Sequence, residues 1–63
     1  MWIELEQTEQ SKKFRVLLKA SSISSIEEAK NDSSSFKTKI NFLDRTAIFV
    51  TNSYDEVKSK LPQ

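Results

Sequence analysis

The chain has 63 residues, with ten basic and nine acidic side chains and a net charge of +1, which leaves room for one domain, residues 1–63. The balanced charge argues against a general affinity for nucleic acid or anionic lipid. Cysteine, histidine and glycine are absent, which excludes disulfides, thiolate or imidazole metal sites and a glycine-rich phosphate loop. We therefore expect no metal and no cofactor.

Apolar residues occur only in short runs. The longest, Ala47–Val50, is far too short to cross a bilayer, and residues 1–4 lack the basic and apolar regions of a signal peptide. We therefore expect a cytoplasmic protein that does not bind a membrane.

Residues 3–6 and 14–19 show the period-2 alternation of two half-buried strands, with a polar break at residues 8–11. A hairpin that places Leu5 opposite Phe14 aligns burial and charge together. The facing pairs are then Ile3 with Val16, Trp2 with Leu17, Glu4 with Arg15 and Glu6 with Lys13. Cross-strand pairs of opposite charge stabilise a hairpin by about 0.2–1 kcal/mol each.

Residues 21–32 allow two interpretations. Ser24 and Glu27 have the spacing of a capping box that would begin a short helix, whereas Ile23 and Ile26 equally fit a strand bent by a bulge. We favour the irregular strand, followed by a turn at residues 31–33.

The second half of the chain predicts two further strands and a helix. Residues 36–42 alternate clearly, and Asp44 and Arg45 form the expected turn to Ala47–Val50, which is apolar on both faces and should be an interior strand. Ser53 and Glu56 have capping-box spacing, so a helix should follow Ser53 and stop at residue 62, a proline.

Together these elements predict an α+β fold, a small antiparallel sheet of four to five strands with one C-terminal helix. The expected core positions are Ile3, Leu5, Phe14, Val16, Leu18, Ile26, Phe36, Ile40, Phe42, Ile48, Val50, Val57 and Leu61.

Between residues 18 and 61 the motifs in order are Ile23-x-x-Ile26-Glu27, Ile40-x-Phe42, Ile48-x-Val50 and Asn52-Ser53-Tyr54-Asp55-Glu56-Val57. This order resembles the small flagellar FlbD/SwrD-like family over about two-thirds of the chain. The chain departs from the family at Asp44-Arg45, where Asn-Gly is usual, and at Thr51-Asn52, which replaces Lys-Glu. The resemblance implies a cytoplasmic accessory protein of flagellar motility; an orphan or phage-encoded protein of similar shape is the alternative.

No catalytic arrangement is evident in the sequence. Glu27 and Glu28 are adjacent carboxylates, but neighbours on a strand point to opposite faces and would not converge on one substrate. We therefore expect no enzymatic activity.

Binding is the remaining class of function. Trp2 and Leu17 would lie together on the polar face of the first hairpin, and Phe49 belongs to a strand that is apolar on both faces, so these three residues are the protein-contact candidates. They predict an unidentified protein partner and a homo-oligomer. The alternative is a nucleic-acid-binding module with a basic face on one shared sheet, formed by Arg15, Lys19, Lys37 and Lys39.

Overall fold

The computed structural model describes residues 1–29 and 35–62. Within these residues the chain forms five strands, one short 3₁₀ helix and one α-helix. In order they are β1 (Trp2–Glu9), β2 (Lys12–Lys19), the 3₁₀ helix (Ala20–Ser22), β3 (Ile23–Glu28), β4 (Thr38–Phe42), β5 (Ala47–Val50) and α1 (Tyr54–Lys60). An α+β fold with antiparallel strands and a C-terminal helix is confirmed. The turn expected at residues 31–33 lies outside the described residues.

The strands form two antiparallel sheets, β1–β2 and β3–β4–β5, and the prediction of a single sheet is wrong. The division lies at the 3₁₀ helix, which separates β2 from β3. Ala20 is buried there, and its N–H donates to the carbonyl of Met1 at 2.9 Å, which continues the β1–β2 pairing up to the point where the 3₁₀ helix begins. No glycine or proline marks this division in the sequence.

A two-residue turn joins β1 to β2. Gln10 and Ser11 both have positive φ, 51° and 65°, as in the type I′ hairpin turns that Asn-Gly normally forms. This turn places Leu5 opposite Val16 instead of Phe14. The predicted facing pairs are therefore wrong by two positions, although a shift of two leaves every side chain on its predicted face.

The irregular strand predicted around Ile23 and Ile26 is confirmed as β3, and the helical alternative is wrong. A register shift between Ile23 and Ser25 marks a bulge in its pairing with β4. The extra residue resets the alternation, which is why two isoleucines three positions apart are both half-buried.

β5 lies at the edge of the second sheet, beside β4, and the prediction of an interior strand is wrong. Val50 is buried and Ile48 is half-buried, whereas Ala47 and Phe49 are exposed. Only one face of β5 therefore contributes to the core.

The turn between β4 and β5 contains Asp44 and Arg45, as predicted. Arg45 takes the left-handed conformation, with φ of 73°, and its N–H donates to the Phe42 carbonyl at 3.1 Å. The Asp44 carboxylate accepts hydrogen bonds from the hydroxyl of Thr46 at 2.6 Å and from its N–H at 3.0 Å. The bond from the Thr46 hydroxyl has the largest effect on the pKa of Asp44, followed by the bond from the Thr46 N–H. Together they hold this pKa below the ordinary aspartate value.

Helix α1 begins at the predicted cap. The Ser53 hydroxyl accepts from the N–H of Glu56 at 3.2 Å, and acidic residues occupy the first turn while Lys58 and Lys60 lie in the last. Val57 is fully buried, and Leu61 is extended before the proline that follows it. A helix of two turns has marginal stability alone, so packing of Val57 into the core stabilises α1.

The hydrophobic core is small and lies between the two sheets and α1. Its buried residues are Ile3, Leu5, Ala20, Ile40, Val50 and Val57, with Val16, Leu18, Ile23, Ile26, Phe42, Ile48 and Leu61 packed against them. Phe14, predicted in the core, is 48% exposed because the observed register moves it opposite Gln7, close to the turn. Thr38 is buried unexpectedly, and its hydroxyl donates to the Asn52 carbonyl at 2.8 Å.

Candidate functional site

The outward edge of β1 is bonded to the segment that follows β5. The Glu6 N–H donates to Asn52 Oδ1 at 2.6 Å, and the Glu6 carbonyl accepts from the N–H and the hydroxyl of Thr51, both at 2.8 Å. Lys60 Nζ donates to the Glu4 carbonyl at 2.9 Å. These contacts hold the two sheets together and fix the faces that remain available for binding.

The first exposed apolar surface is the hairpin patch, which we define as Trp2 and Leu17. Their side chains are 60% and 59% exposed. Trp2 lies opposite Lys19 and Leu17 opposite Glu4, so the two apolar residues are diagonal neighbours on one face instead of the facing pair that was predicted. The structure thus brings these two candidates close together.

The second is the phenylalanine pair, which we define as Phe36 and Phe49. The rings of Phe36 and Phe49 lie 6.1 Å apart with a 47° angle between their planes, and Phe49 is 44% exposed. Gln7 Nε2 donates to the Phe49 carbonyl at 2.9 Å, and Gln7 lies opposite Phe14 on the hairpin. Phe14 lies on the hairpin face opposite the hairpin patch, and on that face the Gln7 side chain links the hairpin to the backbone of Phe49.

Sequence reasoning identified Phe49 but assigned Phe14 and Phe36 to the core. Each has the correct strand parity for burial, and only the register and the end of the sheet place them outside it. No local sequence signal distinguishes the two situations.

The four basic candidates do not share a sheet. Arg15 and Lys19 lie on β2, whereas Lys39 lies on β4 and Lys37 immediately precedes it. Lys39 Nζ approaches the Glu27 carboxylate at 4.0 Å, and Glu6 lies opposite Arg15. The premise that these strands share one sheet is therefore wrong.

An open groove of about 260 Å³ lies beside the joint between the sheets, lined by Glu6, Thr8, Lys13, Thr51, Asn52 and Glu56. Both polar atoms of the Asn52 side chain already have hydrogen-bond partners there, since Oδ1 accepts from the Glu6 N–H and Nδ2 donates to the Glu56 carboxylate. Sites for small molecules usually combine apolar walls with a few polar groups. This polar groove does not favour such a ligand.

Within the described residues, no helix combines the length and the apolar composition that a membrane span requires. In the same part of the chain, no three acidic side chains are grouped so that they could hold a metal ion. No protein-family model, curated protein or solved structure matches the sequence. The resemblance to the FlbD/SwrD-like family therefore stays a prediction.

Proposed function

We propose that this chain is a non-enzymatic accessory protein of the cytoplasm that acts by binding another protein and by associating with itself. The main support is the exposure of large apolar side chains. Single exposed apolar residues are normal on any protein, but grouped ones mark contact surfaces. The exposed residues are Met1, Trp2, Phe14, Leu17, Leu43 and Phe49.

Trp2 and Leu17 lie on one face of the first hairpin, and Phe14 lies on the other. The hairpin patch is on the face away from the core, and Phe14 lies near the turn, where the core face ends. The phenylalanine pair lies in the second half of the chain, with Phe49 on β5. One chain therefore offers two separate apolar contacts. This arrangement suits a protein that joins a second copy through one surface and a different partner through the other.

The resemblance to the FlbD/SwrD-like family supports flagellar motility as the setting, with a phage-encoded or orphan accessory protein as the alternative. Nucleic-acid binding is the less favoured function, because the basic residues are divided between two sheets and two of them face carboxylates.

Sedimentation velocity at high micromolar concentration tests the proposal. The wild-type chain should sediment as a dimer or larger species, and Trp2→Ala should shift it toward the single chain without changing its circular dichroism. Leu43→Ser is the matched control, because Leu43 is 68% exposed but lies at the β4–β5 turn, outside both surfaces. A wild-type chain that stays monomeric and captures no protein from its host would contradict the proposal.

A further inference from the structure

The backbone groups of the first hairpin alternate in direction. In an antiparallel pair, successive residues direct their N–H and C=O groups alternately toward the partner strand and away from it. On β1 the backbone groups of the even-numbered residues point away from β2, since both backbone groups of Glu6 and the carbonyl of Glu4 are bonded outside the hairpin. Because Glu6 pairs with Arg15, the odd-numbered residues of β2 direct their backbone groups outward.

No described strand lies beside the outward edge of β2. Among residues 1–29 and 35–62, β2 pairs only with β1, and no hydrogen bond occupies the outward backbone groups of Lys13, Arg15 and Leu17. The strand is eight residues long and buries none of its side chains completely. A long edge strand with apolar side chains is a template for another extended chain.

Charge argues against a second copy of β2 at this edge. The strand carries four cations and no anion. Antiparallel self-pairing centred on residue 15, 16 or 17 would oppose Arg15 with Arg15, Lys13 with Lys19, or Arg15 with Lys19. Like charges directly opposite each other destabilise a sheet, so the favoured occupant is acidic.

β1 already shows which sequence β2 accepts on its other edge. Residues 3–6 alternate isoleucine or leucine with glutamate, and Glu6 and Glu9 lie opposite Arg15 and Lys12. We propose that the outward edge of β2 binds an extended partner segment in which apolar and acidic residues alternate, as an added antiparallel strand. Its apolar side chains cover Phe14 and its carboxylates face Lys13 and Arg15. This inference rests on the proposed function and specifies the chemistry of the partner.

Amide hydrogen exchange of the wild-type chain, followed by NMR, tests the inference with the peptide Ac-(Val-Glu)₄-amide. At saturation the N–H groups of Lys13, Arg15 and Leu17 should exchange at least about tenfold more slowly, since they gain hydrogen bonds, whereas Phe14 and Val16 already bond β1 and should change less. Unchanged exchange at the three outward amides would overturn the inference. Equal protection by Ac-(Val-Lys)₄-amide, or protection by a single-stranded oligodeoxynucleotide alone, would overturn it too.

Two variants examine charge and backbone separately. Lys13→Glu with Lys19→Glu should weaken binding of the acidic peptide about tenfold or more, because neither lysine faces a carboxylate on β1. Leu17→Pro should abolish binding, since it removes an outward N–H and spares the bonds to β1. Lys58→Glu on α1, which reverses one charge instead of two, is the control and should leave the affinity within about twofold.

The outcomes separate the two proposals. If the peptide does not bind but the chain still associates through Trp2, the proposed function stands and the acidic strand at β2 is wrong. If neither association occurs, both are wrong.

Discussion

The side-chain carbonyl of Asn52 accepts the backbone N–H of Glu6 at 2.6 Å, across 46 positions of sequence. The side chain occupies the place that a neighbouring strand would take beside β1. The backbone carbonyl of Asn52 also accepts from the buried Thr38 hydroxyl at 2.8 Å, and its Nδ2 donates to Glu56 on α1. One residue therefore connects β1, β4 and α1.

Asn52→Ala should lower the free energy of unfolding by about 1–2 kcal/mol, because two side-chain hydrogen bonds worth roughly 0.5–1.5 kcal/mol each are lost. Urea denaturation followed by circular dichroism measures the change. Asn41→Ala is the control, since the Asn41 amide bonds Ser25 and Glu27 within a single sheet. Equal losses for the two variants would show that Asn52 has no special role in joining the sheets.

Ser53→Ala should destabilise the chain by about 1 kcal/mol, the usual loss when a helix N-cap is removed. The matched control is Ser59→Ala, because the Ser59 hydroxyl bonds the Glu56 carbonyl within α1 and alanine has the higher helix propensity. Thermal unfolding of both variants checks this. A midpoint for Ser53→Ala at or above that of Ser59→Ala would contradict the assigned cap.

Leu5→Ala and Phe14→Ser should differ sharply. Leu5 is fully buried, so its truncation should cost about 2–5 kcal/mol, comparable with the roughly 3–5 kcal/mol that a core of this size supplies. Phe14 is exposed, and its replacement should change stability by no more than about 0.5 kcal/mol. Chemical denaturation gives both values, and a large loss for Phe14→Ser would return this residue to the core.

Stability should depend on Asp44 at low pH. Its pKa is lowered in the folded chain, so the carboxylate stabilises the fold above the unfolded-state pKa, and this contribution is lost as pH falls through the lower folded-state value. Asp44→Asn keeps an acceptor oxygen but removes the charge. We expect its melting temperature to lie below that of the wild type at pH 7 and to converge with it below pH 3.8, the ordinary value. A constant difference across this range would contradict the assignment.

Strand identity could be read from the sequence because period-2 alternation is local. The cap at Ser53 and the turn at Asp44 could also be predicted, because each depends on the types of a few neighbouring residues. Register could not, since it depends on Gln10 and Ser11 adopting positive φ, which neither residue type signals. A slip of two positions preserves every face, so the alternating pattern contains no information that would expose it.

The contact surfaces were predicted only in part. Trp2 and Leu17 are exposed because the strand alternation places them on the polar face of the hairpin. The exposure of Phe14 depends instead on how far the core extends along the other face toward the turn. The separation of Arg15 from Lys37 depends on the division of the sheets at the 3₁₀ helix. Both are tertiary facts that no single segment encodes.

The bond between Glu6 and Asn52 also affects the order of events during synthesis. β1 and β2 can pair as soon as both have left the ribosome, but the other side of β1 stays unsatisfied until residue 52 emerges. Contacts between distant parts of a chain slow folding, because the intervening segment must be ordered first. The nascent hairpin therefore presents two bare edges during translation, one on β1 and one on β2, and the edge of β1 is covered only when residues 51 and 52 have emerged.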